Sequence, residues 1–102
     1  MFTIFKNLFK PSADLIKLVK DGAVIVDVRT KDEFRIGHIE GSKNIPLDTV
    51  KKELENMKKL NKPIVTVCHS GNRSAMAKSI LSSAGIHAYN GGAWTVLKRK
   101  LT

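Results

Sequence analysis

The chain of 102 residues contains a single cysteine, three prolines and few aromatic side chains. One cysteine cannot form an internal disulfide, so the small disulfide-linked folds of secreted proteins are excluded. No apolar run approaches the roughly 20 residues that a membrane-spanning helix needs, and the first residues lack the apolar core of a signal peptide. These absences predict a cytoplasmic protein with no transmembrane segment.

Acidic residues are also scarce, since 9 Asp and Glu stand against 18 Lys and Arg, a formal net charge of +9. Such a field attracts anionic partners, whether small anions, acidic proteins or nucleic acid. The basic residues are scattered, however, in short groups such as Lys51-Lys52, Lys58-Lys59 and Lys98–Lys100, without interleaved aromatics. We therefore find no strong signal for nucleic-acid binding, and we predict that the basic residues lie on solvated helix faces and in a basic tail.

Two apolar runs rich in β-branched residues, "AVIVDV" (23–28) and "PIVTVC" (63–68), predict strands. Neither run alternates strictly with polar residues, as is typical of strands that are buried on both faces of a parallel sheet. Shorter strands are predicted at "KNIP" (43–46) and "IHAYN" (86–90), which Gly, Pro or Asn bound.

Helical patterns lie between the predicted strands. The predicted helices cover residues 11–22, 47–61 and 74–85, and a short fourth helix follows Gly92. Ser12 and Asp48 are the expected N-caps of the first two helices. Strands that alternate with helices imply a parallel sheet covered on both faces, which is an α/β sandwich.

Residues 1–10, "MFTIFKNLFK", form an amphipathic N-terminal segment in which Phe2, Phe5 and Phe9 share one face of a helix. With two lysines and under three helical turns, its adhesion to a membrane surface would be weak. We favour packing against the rest of the chain or against a partner. The sequence therefore divides into this segment and a domain over residues 11–102.

The single cysteine, Cys68, ends an apolar run just before a helical pattern. In open α/β sheets, ligands bind outside the carboxyl ends of the strands, which is where Cys68 is predicted to lie. A helix that begins near Arg73 would point its free N–H groups at the same place. Gly71 allows a positive φ, so that the loop amides turn inward as an anion nest, and Arg73 adds a positive charge. Each feature favours the thiolate, which is the nucleophilic form of a thiol.

Two interpretations of Cys68 are open at this point. A cysteine after an apolar run is often a small buried hydrophobe. A core position, however, needs no Gly three residues later, no Arg five residues later and no immediate helix start, so we favour a nucleophile. His69 resembles a general base, but neighbouring side chains at the end of an extended strand point in opposite directions. We therefore predict that His69 lines the loop.

Three motifs resemble those of single-domain rhodaneses, a family of sulfurtransferases. They are "VDVRTKDEFRIGHIEGSKNIPL" (26–47), "VCHSGNRS" (67–74) and "NGGAWTVL" (90–97), in the family's order and spacing. The resemblance runs from about residue 11 to the C-terminus. It implies a rhodanese-like three-layer α/β sandwich with a mostly parallel, five-stranded sheet flanked by helices. The short first strand is expected near Leu8 to Lys10.

The resemblance also implies what the cysteine loop does. In this family the catalytic cysteine, here Cys68, carries sulfur as a persulfide that the backbone amides of its loop surround. The matching loop residues are His69, Ser70, Gly71, Asn72, Arg73 and Ser74.

Three other matching residues are expected to support the site structurally. Asp27 ends a strand and can accept hydrogen bonds from the loop that follows it. Arg29 either pairs with Glu33 or faces the mouth of the site. His38 is expected to hold its loop by a hydrogen bond rather than to act in catalysis.

The implied reaction moves a sulfane sulfur from a small anionic donor, such as thiosulfate, to cyanide, a thiol or a protein acceptor. No metal or organic cofactor is implied, and the three His and one Cys show no metal-ligand spacing. Some thiosulfate-using members carry a cationic residue two positions after the cysteine. This chain has Ser70 there, so the identity of the sulfur donor stays open.

Two alternatives to this reaction are open. Rhodanese-like domains also serve as non-catalytic binding modules or as sulfur-relay partners, although the retained cysteine and loop favour an enzyme. Related phosphatases and arsenate reductases use a Cys-x5-Arg loop, which has room for a tetrahedral oxyanion. From Cys68 to Arg73 the spacing is Cys-x4-Arg, and this smaller loop favours the transfer of one sulfur atom.

Overall fold

A computed structural model of the chain describes residues 12–102. The N-terminal segment, residues 1–10, and the expected first strand near Leu8 to Lys10 lie outside the described residues. The helices are α1 (Ser12–Lys20), α2 (Lys31–Ile36), α3 (Leu54–Leu60), α4 (Asn72–Ser83) and α5 (Trp94–Leu101), and Leu47–Thr49 forms a 3-10 turn. The strands are β1 (Val24–Asp27), β2 (Lys43–Asn44), β3 (Ile64–Cys68) and β4 (Ala88–Ala93).

The strands form one sheet in the order β2-β1-β3-β4, and every neighbouring pair is parallel. Val24 of β1 lies opposite Ile64 of β3, which in turn lies opposite Ala88 of β4. Parallel neighbours need long crossover connections, and the intervening helices provide them. The predicted α/β fold with a parallel sheet between helices is confirmed, with four strands in the part of the chain that the structure describes.

The core depends on β3, whose five residues are all buried and whose side chains alternate between the two faces of the sheet. One face packs against α3 and α4 through Met57, Ala77 and Leu81. The other face packs against α1 and α5 through Leu15, Val19 and Leu97. Burying an aliphatic side chain such as Ile64 or Val65 stabilises the fold by about 1.5–3 kcal/mol. Cys68 belongs to the first cluster and therefore faces α4.

The helix predicted over 47–61 is divided in the structure. Leu47–Thr49 forms a 3-10 turn, and α3 begins only at Leu54. Asp48, the expected N-cap, lies inside this turn, where the Thr49 hydroxyl donates to the Pro46 carbonyl at 2.8 Å. Val50, the residue that follows the turn, is fully buried.

Helix α2 has no counterpart among the predicted helices. It begins after Thr30, which forms a capping box with Glu33: the Glu33 amide donates to Thr30 Oγ1 at 3.2 Å, and the Thr30 amide donates to Glu33 Oε1 at 3.0 Å. The pattern Thr-x-x-Glu is a known signature of a helix start, so the signal was present in the sequence. None of the six residues of α2 is fully buried, which explains why no apolar periodicity reveals the helix.

Strand β4 extends to Ala93, beyond its predicted end at residue 90, because an irregularity lets it stay paired with β3. The register shifts so that Thr66 lies opposite Asn90, whereas Val67 lies opposite Gly92. The extra residue between the two pairs makes a bulge, which re-aims the side chains that follow it. This bulge lies at the carboxyl end of the sheet, beside Cys68.

Gly91 occupies the bulge under close contact with β3. A Cβ at this position would lie 2.8 Å from Cγ1 of Val65 and 2.9 Å from the carbonyl oxygen of Thr66. Both distances are too short for real carbon contacts, and β3 cannot retreat because it is packed on both faces. We infer that glycine is required here for close approach of two backbones.

We predict that Gly91→Ala destabilises the protein by about 1–3 kcal/mol, since overpacking a close-packed site costs energy of this order. Urea unfolding followed by circular dichroism measures the change. The exposed substitution Ser82→Ala on α4 is the control, and it should alter stability by less than about 0.5 kcal/mol. Equal stabilities for the two variants would show that the sheet adapts to the added methyl group.

Candidate active site

Cys68 is the last residue of β3 and is almost completely buried, with 1% of its surface exposed. The chain then turns through His69 and Ser70, which are both exposed, to Gly71, and α4 begins at Asn72. Gly71 has a φ of +105°, the positive value predicted for it. The turn therefore brings the start of α4 back over the sulfur.

Donors from this turn and from α4 surround the Cys68 sulfur. The Gly71 amide donates to Sγ at 3.0 Å, and the Ser74 amide donates to it at 3.4 Å. The Ser74 hydroxyl also lies 3.4 Å from Sγ, and it can accept from a thiol or donate to a thiolate. The site can therefore hold a negative charge on sulfur without contact with bulk water.

Burial and hydrogen bonding act on the pKa of Cys68 in opposite directions. Burial is the largest single influence and raises the pKa of the thiol, because removing a charge from water is costly. Hydrogen bonds from the Ser74 hydroxyl and from the amides of Ser74, Gly71 and Ser70 lower it. Together they prevail, so the pKa of Cys68 lies below its ordinary value.

Arg73, on the first turn of α4, forms an ion pair with α2. Its guanidinium binds the Glu33 carboxylate on α2 through Nη1–Oε1 at 2.8 Å and Nη2–Oε2 at 3.1 Å. A thiolate at Cys68 is close enough to contribute to the raised pKa of Arg73, but hydrogen bonds are the main cause of the lowered pKa of Cys68. Arg73 thus carries the positive charge predicted near the sulfur, and its side chain also braces the cysteine loop against α2.

Asn90, at the bulge of β4, belongs to the site although no sequence argument selected it. Its Oδ1 accepts from the Ser74 hydroxyl at 2.6 Å and from the Gly92 amide at 2.9 Å. Its Nδ2 donates to the Gly71 carbonyl at 3.3 Å. Its sequence signal was its place at the start of the motif "NGGAWTVL" (90–97), which does not reveal the contact, because the contact depends on how β4 pairs with β3.

A model of the Rhodanese-like domain family matches residues 12–95 of the chain. The chain belongs to the rhodanese-like family. The motifs that suggested this resemblance lie where the fold brings β1, β3 and β4 to one end of the sheet.

Individual relatives resemble the chain over most of its length. Thiosulfate sulfurtransferase GlpE of Pseudomonas putida is 34% identical over 76 residues, which cover 72% of this chain and 68% of the relative. Thiosulfate sulfurtransferase PspE of Escherichia coli is 35% identical over 69 residues, which cover 66% of each chain. The crystal structure of a rhodanese-related protein from Thermoplasma volcanium has a TM-score of 0.74 at 29% identity and covers 87% of this chain and 88% of its own.

In this rhodanese-like domain, Asp27 and Arg29 form a buried pair at the end of β1. Arg29 donates to the Asp27 carboxylate from Nε at 2.9 Å and from Nη2 at 2.7 Å, and Nη2 also donates to the Gly37 carbonyl at 2.7 Å. The guanidinium lies 4.5 Å from the centre of the Trp94 ring. Asp27 also accepts from the Arg29 amide at 3.0 Å, which is the kind of loop hydrogen bond predicted for it.

Both expectations for Arg29 are wrong. Its side chain cannot face the mouth of the site, because the residue is only 4% exposed. It donates to the main-chain carbonyl of Glu33 at 3.3 Å, whereas the Glu33 carboxylate binds Arg73. Its partner, Asp27, is two residues away along the chain. The sequence could not show which of the nearby carboxylates would be buried with Arg29.

His38 makes the structural contact expected of it. Its Nδ1 donates to the Phe34 carbonyl at 2.8 Å, and the two rings stack with centroids 3.8 Å apart. His69 is exposed on the cysteine loop, and the described hydrogen bonds to the Cys68 sulfur come from Gly71 and Ser74 instead. A wall position for His69 and a structural one for His38 fit these contacts.

Cys68 is a free thiol. Within residues 12–102, no group of three or more His, Cys, Asp or Glu side chains is arranged to hold a metal ion. In the same part of the chain, no helix has both the length and the apolar character that crossing a bilayer requires.

The Arg73–Glu33 pair generates a prediction for the dependence of stability on pH. The bonds from Arg73, followed by the hydrogen bonds from Thr30, lower the pKa of Glu33 from an ordinary value of 4.5 to about 2. Stability from a carboxylate with a lowered pKa is fully present above its unfolded pKa and is lost as the pH falls through its folded pKa. Because both side chains are about one third exposed, solvent screening limits the contribution to about 0.5–1 kcal/mol.

We therefore predict that Glu33→Gln lowers the free energy of unfolding near pH 7 by about 0.5–1 kcal/mol. The difference from the wild type should shrink between about pH 4.5 and about pH 2, where the wild-type carboxylate becomes protonated. Urea unfolding at a series of pH values measures this. Glu55→Gln, which removes an exposed pair with Lys58 at 3.6 Å, should show a smaller and flatter difference. A Glu33→Gln difference that does not change with pH would contradict the assignment.

Proposed function

We propose that the protein is a sulfurtransferase that moves a sulfane sulfur from thiosulfate or a similar donor to a thiophilic acceptor through a persulfide on Cys68. The observation that carries the proposal is a sulfur with a lowered pKa that receives hydrogen bonds from two backbone amides, those of Gly71 and Ser74. Relatives named thiosulfate sulfurtransferases, at 34% and 35% identity, support this reaction class.

In the first half-reaction, the Cys68 thiolate attacks the outer sulfur of the donor. A sulfur–sulfur bond forms, the bond within thiosulfate breaks, and sulfite leaves with the electron pair. The Cys68 persulfide keeps the negative charge on its terminal sulfur. Amides fixed by the start of α4 stabilise this charge with little reorganisation, as an oxyanion hole does.

In the second half-reaction, cyanide or a thiolate attacks the terminal sulfur of the persulfide. The new bond takes the sulfur away as thiocyanate or as an acceptor persulfide. The electron pair of the broken bond returns to Cys68 Sγ and restores the thiolate. The cycle needs no added oxidant or reductant, because the transferred sulfur keeps its sulfane oxidation level in both steps.

The loop supports sulfur transfer over phosphoryl transfer. Four residues separate Cys68 from Arg73, one fewer than in the Cys-x5-Arg loops of the related phosphatases. The guanidinium of Arg73 is bound by Glu33 through two hydrogen bonds. A guanidinium held in this way is less available to clamp the oxygens of a phosphoryl group, whereas a single added sulfur needs only the amides.

We predict that Cys68→Ser reduces thiosulfate:cyanide sulfurtransferase activity by about a thousandfold or more, since removal of a nucleophile has effects of this size or larger. The serine hydroxyl is similar in volume but cannot form a persulfide, so the fold should persist. Thiocyanate formation measures activity, and circular dichroism with urea unfolding measures the fold. Ser82→Ala, an exposed change on α4, serves as the active control.

A mass measurement on the same two proteins distinguishes an enzyme from a binding module. Incubating the wild type with a panel of sulfur donors should add the mass of one sulfur atom, which Cys68→Ser should abolish. Wild-type protein that gains no sulfur from any donor would support the non-catalytic module. A folded Cys68→Ser protein that keeps substantial activity would exclude Cys68 as the sulfur carrier.

We also predict that the persulfide persists until an external acceptor removes its sulfur. The chain has no second cysteine that could resolve the persulfide by forming an internal disulfide. Steady-state turnover should therefore follow ping-pong kinetics, with parallel double-reciprocal lines for donor and acceptor. Protein loaded with sulfur and freed of donor should keep the added mass until a thiol is supplied. Equal rates of loss with and without thiol would contradict a discrete transfer step.

A further inference from the structure

The hydroxyl of Ser74 has two competing partners but one hydrogen. Its Oγ lies 2.6 Å from Oδ1 of Asn90 and 3.4 Å from Sγ of Cys68. A hydroxyl donates one hydrogen bond and can accept others. The hydrogen of Ser74 therefore points to Asn90 or to the sulfur, and not to both.

The protonation state of Cys68 changes which arrangement is favourable. A thiol can donate its own hydrogen to Ser74 Oγ while Ser74 donates to Asn90. A thiolate or a persulfide anion has no hydrogen to give and gains most when Ser74 turns its hydrogen toward it. Asn90 Oδ1 then still accepts from the Gly92 amide at 2.9 Å, so it is not left without a donor.

Asn90 is oriented by groups on three sides of its amide. Oδ1 receives two donors, from Ser74 and Gly92, while Nδ2 donates to the Gly71 carbonyl at 3.3 Å. A flipped amide would set its NH2 group against the Gly92 amide and its oxygen against a carbonyl oxygen, so the orientation is determined by the contacts. Asn90 thus contacts Gly71 and Ser74, which both donate to the Cys68 sulfur.

We propose that Asn90 is a positioning residue that holds the hydrogen of the Ser74 hydroxyl and thereby sets the balance between the thiol and the anionic forms of Cys68. In the resting thiol, Asn90 keeps this hydrogen away from the sulfur. When the anion forms, Asn90 releases the hydrogen and keeps the bond to Gly92. The inference deepens the proposed function, because the anion is both the nucleophile and the persulfide, but its test needs no sulfur transfer.

The charged groups near Cys68 lie on elements other than β4, the strand that carries Asn90. Arg73 of α4 is paired with Glu33 of α2, and Asp27 at the end of β1 is paired with Arg29. Strand β4, with the sequence "AYNGGA", brings no charged side chain to the sulfur. A change at Asn90 therefore alters hydrogen bonding without removing a charge partner of the thiolate.

The test is the pH dependence of iodoacetamide alkylation in the full chain, where Cys68 is the one cysteine and so the only thiol reported. Asn90→Leu removes the competing acceptor and frees the Ser74 hydrogen for the thiolate. We expect the thiol pKa to fall by about half a pH unit or more, in keeping with the typical energy of one hydrogen bond. Asn90→Asp offers a charged acceptor that retains the hydrogen and whose charge also repels the thiolate, so we expect the thiol pKa to rise by at least as much.

Both changes are repeated with Ser74→Ala, which completes a double-mutant cycle. If Asn90 acts through the Ser74 hydroxyl, the fall in Asn90→Leu should be at least halved when that hydroxyl is absent. The rise in Asn90→Asp should become smaller, and the remainder is the direct repulsion between the new carboxylate and the thiolate. Tyr89→Phe, one residue earlier on β4, is the control and should leave the alkylation profile of Cys68 unchanged. A merely structural role predicts the opposite sign for Asn90→Leu, because loosening the Gly71 turn would remove a donor and raise the pKa.

The inference is overturned if Asn90→Leu raises the thiol pKa, or if either shift is the same with and without Ser74. Should Asn90→Leu fail to fold, the nearly isosteric Asn90→Asp decides the question alone by its dependence on Ser74. Coupling in a protein that transfers no sulfur would support the inference and count against the proposed function. Sulfur transfer without coupling between Asn90 and Ser74 would support the proposed function and overturn the inference.

Discussion

The thiol of Cys68, whose pKa is lowered, lies at the end of a fully buried strand. All five residues of β3 are buried, and Cys68 at its carboxyl end is 1% exposed. Water can therefore contribute little to solvating a thiolate or a persulfide there, and burial by itself raises the pKa of the thiol. The protein has to supply the donors that water does not.

The backbone supplies them, and this requirement explains the local geometry of the loop. The positive φ of Gly71 turns its amide toward the sulfur at 3.0 Å, and α4 begins immediately afterwards so that the Ser74 amide also points inward. Neutral amides are suited to this task because they stabilise an anion without forming a fixed ion pair with it. An anion held by such groups is not tied to a cationic side chain by a salt bridge.

Around this loop, neighbouring elements restrict its movement through polar contacts. Arg73 ties α4 to α2 through Glu33, a residue that also caps α2. Asn90 ties β4 to the loop through Ser74 and Gly71. Arg29 makes different contacts from Arg73, since it is buried with Asp27 beneath the Trp94 ring. A loop that is braced from α2 and from β4 keeps its amides aimed at the sulfur.

Much of the fold and the centre of the site could be read from the amino-acid sequence, because both depend on local patterns. The buried runs that became β1 and β3, the helix that follows Cys68 and the positive φ of Gly71 each arise from residues close together in the chain. The capping box of α2 was equally local. The helix itself has no buried residue among its six, so no apolar periodicity predicts it.

Partner choice among the polar side chains was decided only by the tertiary structure. Glu33 and Arg73 are 40 residues apart, and Ser74 and Asn90 are 16 apart. Which carboxylate an arginine meets depends on how crossover helices pack, and which atom Asn90 reaches depends on a one-residue bulge between β3 and β4. The sequence by itself determined that the single cysteine lies at the end of a buried parallel strand, just before a helix. The packing of distant elements determined which groups hold its hydrogen bonds, because strand register and helix contacts bring those groups within bonding distance.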